Sequence, residues 1–235
     1  TLPEYKMAFV FSNFNGTSDD IDVLTHEIGH AFQYHESCNI KFPEYQAPGL
    51  EACEIHSMSM EFLAWPWIHL FVGDKDEAKY RYAHLTSAIE FLPYGATVDE
   101  FQHFVYENVD ATHAERCAKW REIEKKYTPL KKYDGLKFLE TGTWWLKQGH
   151  IFANPFYYID YTLAQVVAFQ FLGESLKDYP KTWKKYVRLC KLGGKYPFRE
   201  LLAKAHLRDP FIEGTMKKNV KPLVKVLNSF DDKNM

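Results

Sequence analysis

Behind an Asn15-Gly16 turn signal and the run Thr17, Ser18, Asp19 and Asp20, the apolar residues Ile21, Leu24, Ile28, Ala31 and Phe32 recur at helical spacing. The acids fit a first turn, where the positive end of the helix dipole favours them. This predicts a helix over about 18 to 36. A second helix should run from near Gly49 to about Ala64, with Pro66 ending or kinking it. From there the chain reads almost entirely helical. Thr97-x-x-Glu100 and Thr112-x-x-Glu115 have the form of capping boxes, and Tyr157 to Phe171 predicts a further helix. Gly193-Gly194 and Pro197 punctuate the last third, and the lysines and arginines from Lys181 to Lys204 read as a solvated face. Only residues 6 to 14 read as a strand. The fold class is therefore mostly α, one domain over 1–235 with a small N-terminal β element.

Composition narrows the function classes. A chain of 235 residues with 46% apolar and 26% charged residues has ample material for a buried core. Its formal net charge of -2 argues against nucleic acid as a partner, since a dedicated binder carries a basic excess. No apolar run reaches the roughly 20 residues of a membrane span. The longest, Phe62 to Gly73 and Tyr161 to Gly173, read as buried helix. Cys38, Cys53, Cys117 and Cys190 form no C-x-x-C pair, which fits a reducing, cytoplasmic setting better than a disulfide scaffold. The chain starts at Thr1 with no signal-peptide pattern, and is expected to be part of something longer or a processed product. Aromatic residues reach 17%, many of them tyrosines, so a tyrosine-rich cleft stands beside simple core filling.

The chemistry concentrates at His26-Glu27-Ile28-Gly29-His30, an H-E-x-x-H pattern on the first helix. Spacing of i, i+4 puts both imidazoles on one face, one turn apart, where they can grip a single ion; Glu27 sits beside that face. Two core histidines are the structural alternative. A catalytic zinc takes three protein ligands and keeps one position open, so a third ligand should come from the second helix. Spacing there favours Glu54 and leaves Glu51 open. Glu61, seven residues on, shares the face of Glu54, whereas His56 points away from it.

His26 to Gln33 together with Glu54 to Glu61 resembles the M3 family of zinc metallopeptidases, in its oligoendopeptidase F and Pz-peptidase branch. Phe9 to Thr17 and His150 to Gln165 resemble the same branch, so four motifs occur in order. The resemblance implies a zincin-like helical catalytic domain holding one Zn2+ per chain through His26, His30 and Glu54. It implies that Glu27 is the general base of a zinc-bound water and that Glu61 orients a ligand histidine. His150, Tyr158 and Tyr161 match residues that line the cleft and stabilise the tetrahedral intermediate. Phe11, Asn13 and Gly16, on or beside an edge strand that pairs with extended peptide, and Tyr157 are the substrate-side candidates. Another branch of the family has a Gly-Gly-Tyr loop where this chain has Ala153-Asn154-Pro155, so no role is carried over there.

The expected activity is hydrolysis of internal bonds in short, unstructured peptides. Family members carry a long helical region ahead of these motifs that is not in this sequence. A folded zinc- and peptide-binding fragment without turnover is the alternative, with self-association through an uncovered apolar face as a further expectation.

Overall fold

The computed structural model describes residues 1–231. In chain order the helices are α1 (Asp19–Ser37), α2 (Leu50–Leu63), α3 (His69–Glu107), α4 (His113–Tyr127), α5 (Lys137–Glu140), α6 (Gly149–Ala153), α7 (Tyr158–Ser175), α8 (Tyr179–Leu192), α9 (Phe198–Lys204) and α10 (Thr215–Leu227). The chain forms two compact units, one of residues 1–87 with the chain from Leu163 onward, the other of Ala88–Thr162.

In the first unit α1 packs along α2, and α8 packs against both. Phe32 of α1 lies against Trp183 and Tyr186 of α8, with ring centroids 5.2 and 5.9 Å apart. The Tyr186 hydroxyl, fully buried, donates to the carbonyl of His56 on α2 at 2.9 Å. Ile55, Phe62, Phe169, Phe171 and Leu189 complete this core. Each fully buried side chain of this size contributes roughly 1.5–3 kcal/mol of hydrophobic stabilisation.

One residue sets the separation of α1 and α2. A Cβ added at Gly29 would stand 2.6 Å from Ser57 Cα and 2.7 Å from the His56 carbonyl oxygen. Only a residue without a side chain lets the two backbones approach this closely.

In the second unit Val98, Phe101, Trp120, Ile123, Trp145 and Tyr158 are buried together. Trp120 meets Phe101 edge to face at 5.1 Å. The capping box at α4 is complete: Thr112 accepts from the Glu115 N–H and the Glu115 carboxylate accepts from the Thr112 N–H. Thr112→Ala is expected to lower stability by about 0.5–2 kcal/mol, read as a shift in the urea midpoint.

Three expectations need correction. The strand over 6 to 14 is not formed. Exposure does alternate along it, with Ala8, Val10 and Ser12 half-buried and Phe9 and Phe11 exposed. A strand also needs a ladder partner, however, and the described residues supply only an isolated Leu2–Met7 bridge. Thr97 caps nothing: it lies buried inside α3, where its hydroxyl donates to the Pro93 carbonyl one turn back. Phe62 to Gly73 is not one buried helix. It is divided by a 3-10 turn at Trp65–Trp67 and by Gly73 at φ 77°, and it exposes Leu70 and Phe71. Tyr161 to Gly173 does run within α7, buried over most of its length. Among the described residues no helix is long and apolar enough to cross a membrane.

Candidate metal centre

The i, i+4 spacing brings the His26 and His30 rings to 5.0 Å, edge to face, on the side of α1 that meets α2. Across that interface Glu54 is buried and places Oε2 3.1 Å from His26 Nε2 and 3.3 Å from His30 Nε2. One ligand atom from each of the three residues lies within 4.8 Å of the others. Glu54 is held in turn by Ser57, whose hydroxyl lies 2.9 Å from Oε2 and 3.0 Å from the Glu54 carbonyl. Ser57 is one helical turn along α2 and fully buried. Glu51, the alternative by spacing, is not in this cluster. Its carboxylate folds back towards Gly49 at the start of α2.

Behind His26 stands Glu61, with Oε1 2.7 Å from His26 Nδ1. Its other oxygen is 2.9 Å from Nε2 of His84, on α3. Burial of the His26 imidazole pushes its pKa down. Hydrogen bonds to Glu54 and Glu61 on its two nitrogens outweigh that and raise it to about 10. Burial likewise pushes Glu61 up, and its bonds to His26 and His84 bring it below the usual carboxylate range. The cluster is therefore a half-buried pocket that favours positive charge. Two imidazole nitrogens and one carboxylate oxygen, with His26 oriented by Glu61 and Glu54 by Ser57, are the donor set of an open zinc site. The residues fit that ion.

Glu27 is half-buried on the same turn of α1, between His26 and the contact at Gly29. His56 is fully buried, more than its place in the sequence indicates, with Nδ1 3.3 Å from the Cys53 carbonyl; burial lowers its pKa to about 4 and keeps it neutral.

In the second unit His150, Tyr157, Tyr158 and Tyr161 form one aromatic cluster. The His150 ring lies 5.1 Å from Tyr158 and 5.6 Å from Tyr161, and Tyr157 lies 5.0 Å from Tyr161. Tyr158 turns its ring into the buried core against Phe91 and Tyr94, and burial pushes its hydroxyl pKa up. Tyr161 stays half-exposed. The tautomer of His150 follows from its neighbours. Tyr94 donates its hydroxyl to Gln148 Oε1 at 2.8 Å, so the Gln148 amide nitrogen, 2.7 Å from His150 Nδ1, donates to that ring atom. The His150 proton then sits on Nε2, ready to donate.

Of the substrate-side candidates, Phe11 and Asn13 are exposed. Gly16 sits at φ 85° in a turn whose N–H groups from Asn15 to Thr17 all donate to the Asp20 carboxylate. Sequence reasoning did not reach Ser57, His84, Trp65 or Gln148. Ser57, three residues after Glu54, and Gln148, two before His150, had local signals; Trp65 and His84 meet across 19 residues of sequence.

The family model for peptidase family M3 matches residues 3–220. Among solved structures, a Pz peptidase A with a bound inhibitor superposes with a TM-score of 0.95 at 56% identity, covering 99% of this chain and 41% of its own. A protein assigned as oligoendopeptidase F does so at 0.95 and 57%, with the same coverage. Another, from Bacillus anthracis str. Ames, gives 0.86 at 49%, covering 100% of this chain and 39% of its own. A search of curated proteins gives no match. The chain thus spans about two fifths of these relatives. A helical architecture superposing this closely, at such identity and with the family match across most of its length, places the chain: it belongs to peptidase family M3, in the oligoendopeptidase F and Pz-peptidase branch.

Proposed function

We propose that this chain is the catalytic part of a zinc-dependent endopeptidase that hydrolyses internal bonds of short, unstructured peptides. The observation that carries the reading is the convergence of His26 Nε2, His30 Nε2 and Glu54 Oε2 across the α1–α2 contact. These three residues would hold one zinc ion per chain. When bound, zinc supplies Lewis acidity, polarising a peptide carbonyl and lowering the pKa of water from 15.7 towards about 7. Glu27 takes the proton of the attacking water on its carboxylate and passes it to the departing amine nitrogen. Glu61 keeps the His26 ring in place. His150, through its Nε2–H, and Tyr158 and Tyr161, through their hydroxyls, donate to the developing oxyanion, a role worth about 3 kcal/mol per donor. Phe11, Asn13, Gly16 and Tyr157 contact the peptide backbone. Gly16 offers its carbonyl there, since its N–H is engaged by Asp20. The wide spacing of Cys38, Cys53, Cys117 and Cys190, with no C-x-x-C pair, agrees with a cytoplasmic, reducing setting.

Elemental analysis tests the site. One zinc per wild-type chain is expected, with occupancy of Glu54→Ala reduced by at least about tenfold at matched zinc, since even supporting residues of such sites are worth 10- to 100-fold. Hydrolysis of a quenched fluorescent peptide should stop with a chelator and return with zinc. A wild-type chain that holds no zinc after reconstitution would refute the reading. Because the chain spans 41% of the Pz peptidase A relative, binding without turnover is the second reading. Stoichiometric zinc with no peptide hydrolysis is its signature.

A further inference from the structure

The support of His26 extends further than Glu61. Glu61 bridges His26 and His84, and His84 Nδ1 is 2.9 Å from the indole Nε1 of Trp65. Trp65 and His84 are both buried, at 3% and 6% exposure, so solvent does not substitute for either partner. An indole N–H only donates. Nδ1 of His84 must therefore accept, and the His84 proton must sit on Nε2, where it points at Glu61 Oε2. Glu61 is then satisfied on that oxygen and presents Oε1 to His26 Nδ1–H. The Nε2 edge of His26 is left facing Glu54 and His30. A carboxylate only accepts, so what passes along the series is position: with Oε2 held by His84, Oε1 is fixed where it receives His26 Nδ1–H.

The packing holds His84 for this task. Its ring lies 4.7 Å from Phe62 and 5.8 Å from Tyr80, and Tyr80 donates its hydroxyl to Asp22 on α1, one turn before His26. Trp65 is anchored separately, with its carbonyl accepting from Arg81 at 2.7 Å. His84 and Trp65 come from α3 and from the 3-10 turn before it, so three elements meet behind one nitrogen of α1.

We propose that Trp65 and His84 are positioning residues of the metal centre, fixing through Glu61 the His26 ring orientation that turns Nε2 towards a cation. This rests on the reading of His26 as a metal ligand, and the test separates the two. His84→Gln keeps both functions, since an amide accepts from Trp65 and donates to Glu61. His84→Leu removes both at similar bulk, and Trp65→Phe removes the donor while keeping the aromatic packing. Zinc affinity, measured by competition with a chromophoric chelator, should fall about 10- to 100-fold in His84→Leu and recover most of that loss in His84→Gln. Trp65→Phe should fall between wild type and His84→Leu. Two-bond 1H–15N spectra of the imidazoles should show His84 as the Nε2–H tautomer in wild type, with that preference lost in Trp65→Phe. Circular dichroism and melting of each variant report whether the fold is kept.

Equal zinc affinity in folded His84→Leu and wild type would overturn the proposal, as would a glutamine no better than leucine. His84 found as the Nδ1–H tautomer would overturn it without any reference to metal. A wild-type chain that takes up no zinc would instead remove the reading beneath it.

Discussion

Glu27→Gln is expected to lower peptide hydrolysis by about 10²- to 10⁴-fold while leaving zinc content and melting temperature unchanged. The substitution is close to isosteric and removes only the capacity to take a proton, and general-base catalysis is worth that range. Glu27 is outside the cluster of His26, His30 and Glu54, so the metal count does not depend on it. Two measurements check this, steady-state hydrolysis of a quenched peptide and zinc by elemental analysis on the same sample. A variant that loses zinc along with activity would show that Glu27 supports the ion instead of the proton transfer. A variant that keeps full activity would remove Glu27 from the reaction.

Gly29→Ala should be nearly as damaging by a different route. Inside an exposed helix, glycine to alanine stabilises by about 1 kcal/mol. Here the new Cβ would meet Ser57 Cα at 2.6 Å and the His56 carbonyl oxygen at 2.7 Å, both backbone atoms that cannot swing aside. Overpacking of this kind costs about 1–3 kcal/mol, so the sign reverses. The forced separation also carries Glu54 away from the two histidines, and a misplacement of about 1 Å is worth roughly a hundredfold in rate. The expected result is a lower urea midpoint together with zinc affinity reduced at least about tenfold. Gly149→Ala is the control, since nothing lies within 4 Å of its added Cβ. Unchanged stability and zinc affinity in Gly29→Ala would mean the helices adjust, and that their separation does not set the site.

These two residues mark what was legible in the sequence. α1 and α2 could be read because their signals are local: apolar period, acids in the first turn, Gly49 and Pro66 as punctuation. The expected 18–36 became Asp19–Ser37, and 49–64 became Leu50–Leu63. The histidine pair was legible for the same reason, since i, i+4 on one helix needs no tertiary information. Spacing favoured Glu54 without excluding Glu51, because deciding between them requires knowing how α2 crosses α1. That crossing depends on a glycine whose significance appears only when the second backbone is beside it. His84 lies 23 residues beyond Glu61 on a different helix, and nothing local distinguishes it from His69 or His103. The strand failed for the opposite reason. Its alternation is real along 8 to 12, but alternation describes one chain and a ladder takes two. Thr97 failed because a capping pattern is meaningful only where a helix begins, and α3 was already under way.

The Ser57–Glu54 and Glu61–His26 bonds carry one more implication, for how an ion would come and go. A centre whose side chains are gathered only by the cation must pay for their ordering each time it fills. Here the ordering is supplied in advance by a hydroxyl on α2 and a carboxylate braced from α3, inside a helix pair closed by its own apolar core. Entry of the ion then amounts to exchanging protons for a cation on a standing scaffold. Loading and stripping should be reversible without refolding, with acid weakening the loading and hastening the stripping because protons compete for the same nitrogens and oxygen. Such a chain behaves less like a zinc finger, which collapses when emptied, than like a socket that keeps its shape between occupants.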